Sequence, residues 1–127
     1  MPELAPDLAL KALADRQRLR LTHALLGGEL CVGDLVTLVE APQPTVSRNL
    51  AILRRAGWIE VRRAGAFAFY RLAPAGDGFR DGVLEGLARA ARGDRELARD
   101  RKRAERMRAG GGCCPGAAKA PGNGTEG

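Results

Sequence analysis

Apolar positions recur at helical spacing through most of this chain, and in one stretch they alternate instead. Leu8, Leu10 and Leu13, with Ala9, Ala12 and Ala14, make a short helical stripe. Asp15 is placed to cap a second helix over 16–26. In it Leu19, Leu21, Leu25 and Leu26 turn inward, and Arg16, Arg18 and Arg20 turn outward. Gly27-Gly28 ends it, and Glu29-Leu30 follow as a short connecting segment. A third helix over 31–39 is apolar at Val32, Leu35, Val36 and Val39. Asp34 lies in its first turn, where a carboxylate complements the helix dipole. Glu40-Ala41-Pro42 is a turn, because Pro42 disfavours helix at Ala41.

The next helix, over 44–56, is the one the chain is organised around. Pro44 suits a first helical position, Val46, Leu50 and Leu53 form one apolar face, and Gly57 supplies the stop. The opposite face carries Thr45, Ser47, Arg48, Arg54 and Arg55. Short polar side chains let a backbone approach a DNA major groove, and arginines reach guanine edges or phosphates. Thr45, Ser47 and Arg48 are the expected base readers; Arg54 and Arg55 are expected on phosphate or at the helix end. Gln43 and Asn49 complete the candidate set on this helix. Two short helices joined by a tight turn, the second polar outside, make a helix-turn-helix.

The period then changes from 3.6 to 2. Strands are expected over 58–63 and 67–72, joined by Ala64-Gly65-Ala66. Ile59 and Val61 are expected toward the core, Glu60 and Arg62 outward. A hairpin directly after a recognition helix is a wing, and Arg62 and Arg63 near its tip are candidates for the adjacent minor groove or backbone. Pro74 breaks the pattern. A single long helix is expected over 78–108, striped by Phe79, Val83, Leu84, Leu87, Ala88 and Ala91. Its first half is expected to pack on a partner subunit and its second half to fray or project.

The whole reads as a mainly α winged helix-turn-helix with a two-stranded wing. The DNA-binding and dimerisation domain spans 1–109, and a Gly/Pro-rich tail carrying Cys113-Cys114 spans 110–127. Composition sharpens this. Aromatics are 4% of the 127 residues, so Leu, Val, Ala and Ile must build the core. Lys plus Arg is 21 against 15 acidic residues, a net charge of +6, which favours a polyanionic partner. Only Lys11, Lys102 and Lys119 are lysines, so the charge is mainly guanidinium, the better phosphate and base reader. No nucleophile–histidine–acid set and no phosphate loop after a strand is present, so an enzyme is not expected. Nor is there a secretory leader or an apolar run of the roughly 20 residues that span a bilayer. The expected location is the cytoplasm, without membrane contact.

These pieces together resemble the ArsR/SmtB family of metal-responsive repressors. The matching segments are Leu10-Lys-Ala-Leu-Ala-Asp-Arg-Gln-Arg-Leu-Arg-Leu21, Gly28-Glu-Leu-Cys-Val-Gly-Asp-Leu35, Gln43-Pro-Thr-Val-Ser-Arg-Asn-Leu50, Leu53-Arg-Arg-Ala-Gly57 and Tyr70-Arg-Leu72. The resemblance implies a homodimer formed by the first and last helices, a palindromic operator in double-stranded DNA, and release when a soft ion binds. It departs at Asn49, where the family usually has histidine.

Thiolates are soft ligands, whereas imidazole and carboxylate suit zinc, nickel and cobalt. His23 is the only histidine, and it reads as a structural or surface residue. The last helix has no histidine, so the family's zinc-type site is not expected. The family's arsenic-type motif is Cys-Val-Cys-Asp-Leu; here Gly33 stands for the second cysteine in Cys31-Val-Gly-Asp-Leu35. Cys113 and Cys114 resemble the C-terminal pair by which some members bind trivalent arsenic or antimony. The expected inducer is therefore arsenite, a methylated trivalent arsenical or antimonite, held by Cys113 and Cys114 with Cys31 as third ligand. No resident cofactor is expected. The alternatives are a thiol-redox repressor of the same fold and a nonspecific basic DNA-binding protein.

Overall fold

The structure is a computed structural model that describes residues 5–74, 76 and 78–112. It contains helices α1 (Pro6–Leu13), α2 (Arg16–Ala24), α3 (Val32–Val39), α4 (Gln43–Arg55), α5 (Gly78–Ala90) and α6 (Arg95–Arg106). Its strands are β1 (Leu30–Cys31), β2 (Ile59–Ala64) and β3 (Phe67–Leu72). No helix among the described residues is long and apolar enough to cross a membrane.

The helices begin and end where the residue chemistry dictates. Asp15 accepts from Arg18 N at 3.1 Å and starts α2. Leu25–Gly27 adds a 3-10 turn that completes the expected second helix. Gly57 closes α4 with φ +85°, a conformation that strains any side chain with a Cβ. One core gathers Leu21, Leu25, Leu35, Leu38, Leu50 and Leu53, all at most 2% exposed. Each such side chain contributes about 1.5–3 kcal/mol by leaving water. Trp58 fills the space beside them, and its indole N–H donates to Ala9 O at 2.8 Å, which fixes α1.

The wing is broader than its two expected strands. β2 and β3 pair antiparallel as expected, turning at Gly65 with φ +62°. The connecting segment before α3 adds β1, and the strand order is β1-β3-β2. Leu30 opposes Tyr70 and Cys31 opposes Phe69. A two-residue strand carries too little alternation to be read from sequence.

The expected long helix over 78–108 is two helices. α5 stops at Ala90, and Asp94 caps α6 by accepting from Leu97 N at 3.1 Å. Gly93 weakens the helix at the break, and Asp94 offers its backbone a cap instead of a continuation. Arg16 hydrogen-bonds the same carboxylate at 2.7 Å and lowers its pKa to about 2.

The second half neither frays nor projects. α6 docks on α2 and α3 through Asp100, which is fully buried. Arg20 donates to both Asp100 oxygens, at 2.8 and 3.1 Å, and to Leu38 O at 3.2 Å. Arg20 therefore does not face out, and neither does Arg18, which donates to Ala12 O at 2.6 Å. Helical period alone placed both on the solvent face. Their long side chains instead follow the surface to partners that only the tertiary fold supplies.

His23 is 3% exposed, and its Nδ1 has no hydrogen-bond partner among the described residues. Burial lowers its pKa most; Asp100 and Asp94 oppose that shift and Arg101 adds to it. A histidine whose folded pKa lies below its unfolded value of about 6.5 stabilises the fold above that pH. The contribution is lost as pH falls through 6.5 toward the lowered folded value. Unfolding in urea from pH 7.5 to 5 should show a declining midpoint, and His23→Gln should flatten that decline.

Candidate functional site

Helix α4 divides into the two faces its sequence dictates. Val46, Leu50 and Leu53 are fully buried, while Gln43, Ser47, Arg48, Arg54 and Arg55 are exposed. Thr45 is half-buried. Asn49 points along the body: it donates to Gln17 Oε1 at 2.7 Å and accepts from Arg18 at 3.0 Å. The exposed polar groups therefore fall into one cluster at the start of α4 and an arginine pair at its end. The turn that presents α4 contains Glu40 at φ 55°, a left-handed residue without a glycine to announce it. Arg103 of α6 reaches this turn, 3.7 Å from the Glu40 carboxylate and within hydrogen-bonding reach of Thr37 O at 3.4 Å.

Sequence reasoning missed the residue that ends α4. Arg80, from α5, donates to Ala56 O at 3.1 Å and lies 5.7 Å over the Trp58 ring. A cation at a helix C-terminus satisfies an orphan carbonyl and complements the dipole. Gly57 is needed here for its positive φ, and its missing Cβ leaves room for the Arg80 guanidinium. The contact spans 24 residues, and no local spacing signals it.

The two wing arginines differ. Arg63 is exposed. Arg62 is set back from the turn and donates to both oxygens of Glu29, at 3.0 and 2.7 Å. Its guanidinium also lies 4.6 Å from the Phe69 ring centroid. Glu29 is 1% exposed, and its hydrogen bonds raise the Arg62 pKa. Arg62 was expected outward, but it faces a buried carboxylate that the sequence presents only as part of a connecting segment.

Cys31 is fully buried at the junction of sheet and helix. It ends β1, and its sulfur caps α3 by accepting from Asp34 N at 3.4 Å. The sulfur is disulfide-bonded. The chain after α6 turns at Gly110, φ 114°, and brings Gly112 against Asp34. A Cβ at Gly112 would collide with Asp34 Oδ2. Arg108 fastens the same segment by donating to Ala24 O and Gly28 O at 3.1 and 3.3 Å. Cys113 and Cys114, expected as ligands, lie outside the described residues, as does the tail after them. Among the described residues no group of three or more His, Cys, Asp or Glu is placed to hold a metal ion.

Comparison with known proteins bears on this geometry. Residues 15–61 match the model of the bacterial regulatory protein, arsR family. The chain is similar to the arsenic resistance transcriptional regulator ArsR1 of Pseudomonas putida, 42% identical over 88 residues, 68% of this chain and 69% of that protein. It is also similar to the arsenical resistance operon repressor of Escherichia coli, 44% identical over 75 residues, 58% of this chain and 64% of that one. Among solved structures, HlyU of Vibrio cholerae superposes with a TM-score of 0.59 at 35% identity, over 65% of this chain and 87% of its own. The homodimeric winged helix-turn-helix DNA-binding domain Mb0332 of Mycobacterium bovis gives 0.56 at 29% identity, over 72% and 80%.

Arg80 supplies a direct check on how α4 is held. Arg80→Ala should cost about 1 kcal/mol, the scale of a lost charged helix-end contact. Amide exchange at Ala56, Gly57 and Trp58 should speed up while the amides of α2 stay protected.

Proposed function

Because the chain belongs to the arsR family of bacterial transcriptional regulators, we propose that it is a dimeric repressor released from its operator by trivalent arsenic or antimony. The observation that carries the reading is the meeting at Cys31. One buried sulfur caps the first helix of the helix-turn-helix, ends a strand of the wing sheet and lies three residues from Asp34, which Gly112 touches. Cys113 follows Gly112 directly in sequence. A site of Cys31, Cys113 and Cys114 within one subunit accounts for all three cysteines of the chain.

Starting from the reduced protein, whose Cys31 disulfide a thiol reductant has opened by taking up two electrons and two protons, the chemistry balances without a further redox step. Three S–H groups and the three As–OH groups of arsenous acid give three As–S bonds and three waters. A singly methylated trivalent arsenical, with two exchangeable positions, needs only two thiols. Soft thiolates favour such ions over magnesium or calcium. The names of the Pseudomonas and Escherichia relatives support arsenic as the inducer.

Apolar surface supports the dimer. Leu8 and Leu10 on α1 and Phe79 on α5 are 48%, 44% and 39% exposed. The dimer face proposed here therefore joins α1 and α5, since α6 is occupied within its own subunit. The cluster Gln43, Thr45, Ser47 and Arg48 reads bases, Arg54 and Arg55 bind phosphate, and Arg63 serves the wing. Asn49 and Arg62 are directed to partners inside the fold, so their part in DNA binding is to position α4 and the wing.

The disulfide at Cys31 favours a second reading, a thiol-redox repressor. Peroxide would take two electrons and two protons from two thiols and leave a disulfide and two waters.

The test is a DNA fragment selected by the reduced protein from a random pool. Arsenite should lower the affinity of the wild type for that fragment, and Cys113→Ser/Cys114→Ser should abolish the effect. Unchanged release in the double variant would sink the proposal. Release by peroxide but not by arsenite selects the redox reading. The Cys31→Ser variant separates three thiolates from two: it should lose the arsenite response and keep the response to a methylated trivalent arsenical. On the same fragment, Arg48→Ala should relax preference at one base pair, by about 1–3 kcal/mol of discrimination. Arg54→Ala should instead weaken all sequences alike and flatten the salt dependence.

A further inference from the structure

The end of α2, one side of α5 and the facing side of α6 leave a cleft of about 190 Å3 between them. It is lined by no cysteine and by none of the residues on the DNA-facing side of α4 or the wing. His23 lines it from α2, with a buried imidazole whose Nδ1 has no hydrogen-bond partner among the described residues. Arg101 and Glu105 line it from α6, and Arg108 from the turn that follows. None of these three charged groups forms an ion pair among the described residues.

Arg108 is held by one nitrogen. Its Nη1 donates to Ala24 O and Gly28 O, at 3.1 and 3.3 Å. Its Nε and Nη2 donate to nothing among the described residues, and those two nitrogens form the edge with which a guanidinium grips both oxygens of a carboxylate. Gly27 keeps that edge clear, because a Cβ there would collide with Nη2. Burial lowers the Arg108 pKa, and Glu105 opposes that shift without pairing with it. A cation drawn from water without a counter-charge carries a cost that a bound anion removes.

We propose that this cleft binds a small organic carboxylate. Two guanidiniums and one carboxylate give its lining a net charge of +1, which suits a monoanion, and Glu105 disfavours a dianion. Leu26 and Ala88 offer apolar walls to a short hydrocarbon chain. The volume is below the roughly 300–1,000 Å3 of clefts that hold drug-sized molecules, so the acid is a short one. The Arg108 edge takes both carboxylate oxygens, Arg101 adds charge from the exposed side, and His23 donates once its proton sits on Nδ1. Such a ligand joins the end of α2 to α6 and stabilises the fold by binding the native state alone.

The experiment uses the full-length chain and three probes: propionate, its neutral analogue propionamide, and inorganic phosphate. His23 is the only histidine, so its imidazole gives a single set of nuclear magnetic resonance signals. Propionate should shift those signals saturably and raise the melting temperature, and propionamide should do neither. Arg108→Gln removes the fork. Gly27→Ala keeps every charge but crowds the fork, and it carries the test should Arg108→Gln fail to fold, since Gly27 lies outside the left-handed region. Each should weaken propionate binding at least about fivefold, as expected for loss of a charge-assisted hydrogen bond. Arg106→Gln makes the same charge change on an exposed part of α6 outside the cleft and should leave binding within about twofold, because a distant exposed charge is screened. A propionate shift that does not saturate, or one that propionamide reproduces, overturns the inference. So does tighter binding of phosphate than of propionate, or a Gly27→Ala protein that binds propionate as the wild type does. None of these outcomes bears on the response to arsenite.

Discussion

A carboxylate removed from water has to find a cation, and Asp100 finds Arg20. Neither charge is tolerable alone in the interior, and removing one partner of such a pair typically costs about 3–5 kcal/mol. The pair joins α6 to α2, and the third bond of Arg20, to Leu38 O, adds α3. Once α6 is held, several distant contacts follow. Arg103 reaches the turn before α4, Arg108 reaches the end of α2, and Gly112 is delivered to Asp34. An apolar pair of equal volume would pack α6 with similar energy. The ion pair adds a direction, because a guanidinium fork accepts its carboxylate in few orientations. That direction sets where the chain before Cys113 runs.

Cys31 shows why a cysteine suits this junction. Its backbone belongs to the sheet and its side chain to the helix. Sheet and recognition unit therefore share one residue. Winged folds can place hairpin and helix-turn-helix as near-independent lobes; here the two-residue strand β1 ties them. Arg80 makes a similar tie at the other end of α4, linking it to α5, whose Phe79 is open to solvent. The recognition helix is thus held at its C-terminus by the helix proposed for dimer contact. It is approached at its N-terminal turn by the helix that leads to the cysteines.

Much of the fold was legible because it rests on local rules. Asp15 and Gly57 are caps with a mechanism, Val46, Leu50 and Leu53 mark one helical face, and Gly65 marks a hairpin turn. What escaped was long-range. Asp100 sits in a run with nine basic and four acidic residues over 89–108, and nothing in that run distinguishes the one carboxylate destined for the core. The same holds for Arg20 among Arg16 and Arg18, for Glu29 in its connecting segment, and for Arg80. Charged side chains reach several ångströms from their own helix face, so period alone does not say whether they end in water or on a partner. The break at Gly93-Asp94 has local causes, a glycine followed by a capping aspartate. Its consequence, a helix returning to the body, depends on Arg20 and was not visible.

The cap itself sets a limit on how the proposed signal arises. A thiol sulfur is a weak acceptor beside the Asp, Ser or Asn oxygens that usually cap helices, and even those contribute only about 1 kcal/mol. The 3.4 Å contact from Asp34 N is an ordinary length for the larger sulfur atom, and the weakness of this cap lies in the acceptor itself. Drawing the Cys31 sulfur into a bond with a soft ion therefore forfeits little helix stability. Loss of the cap alone falls short of the roughly 1–3 kcal/mol that useful coupling requires. In the proposed switch the larger lever is therefore the bond that the sulfur carries, because exchanging a disulfide for a bond to a soft ion would act on the chain segment pressed on Asp34 at small cost to α3.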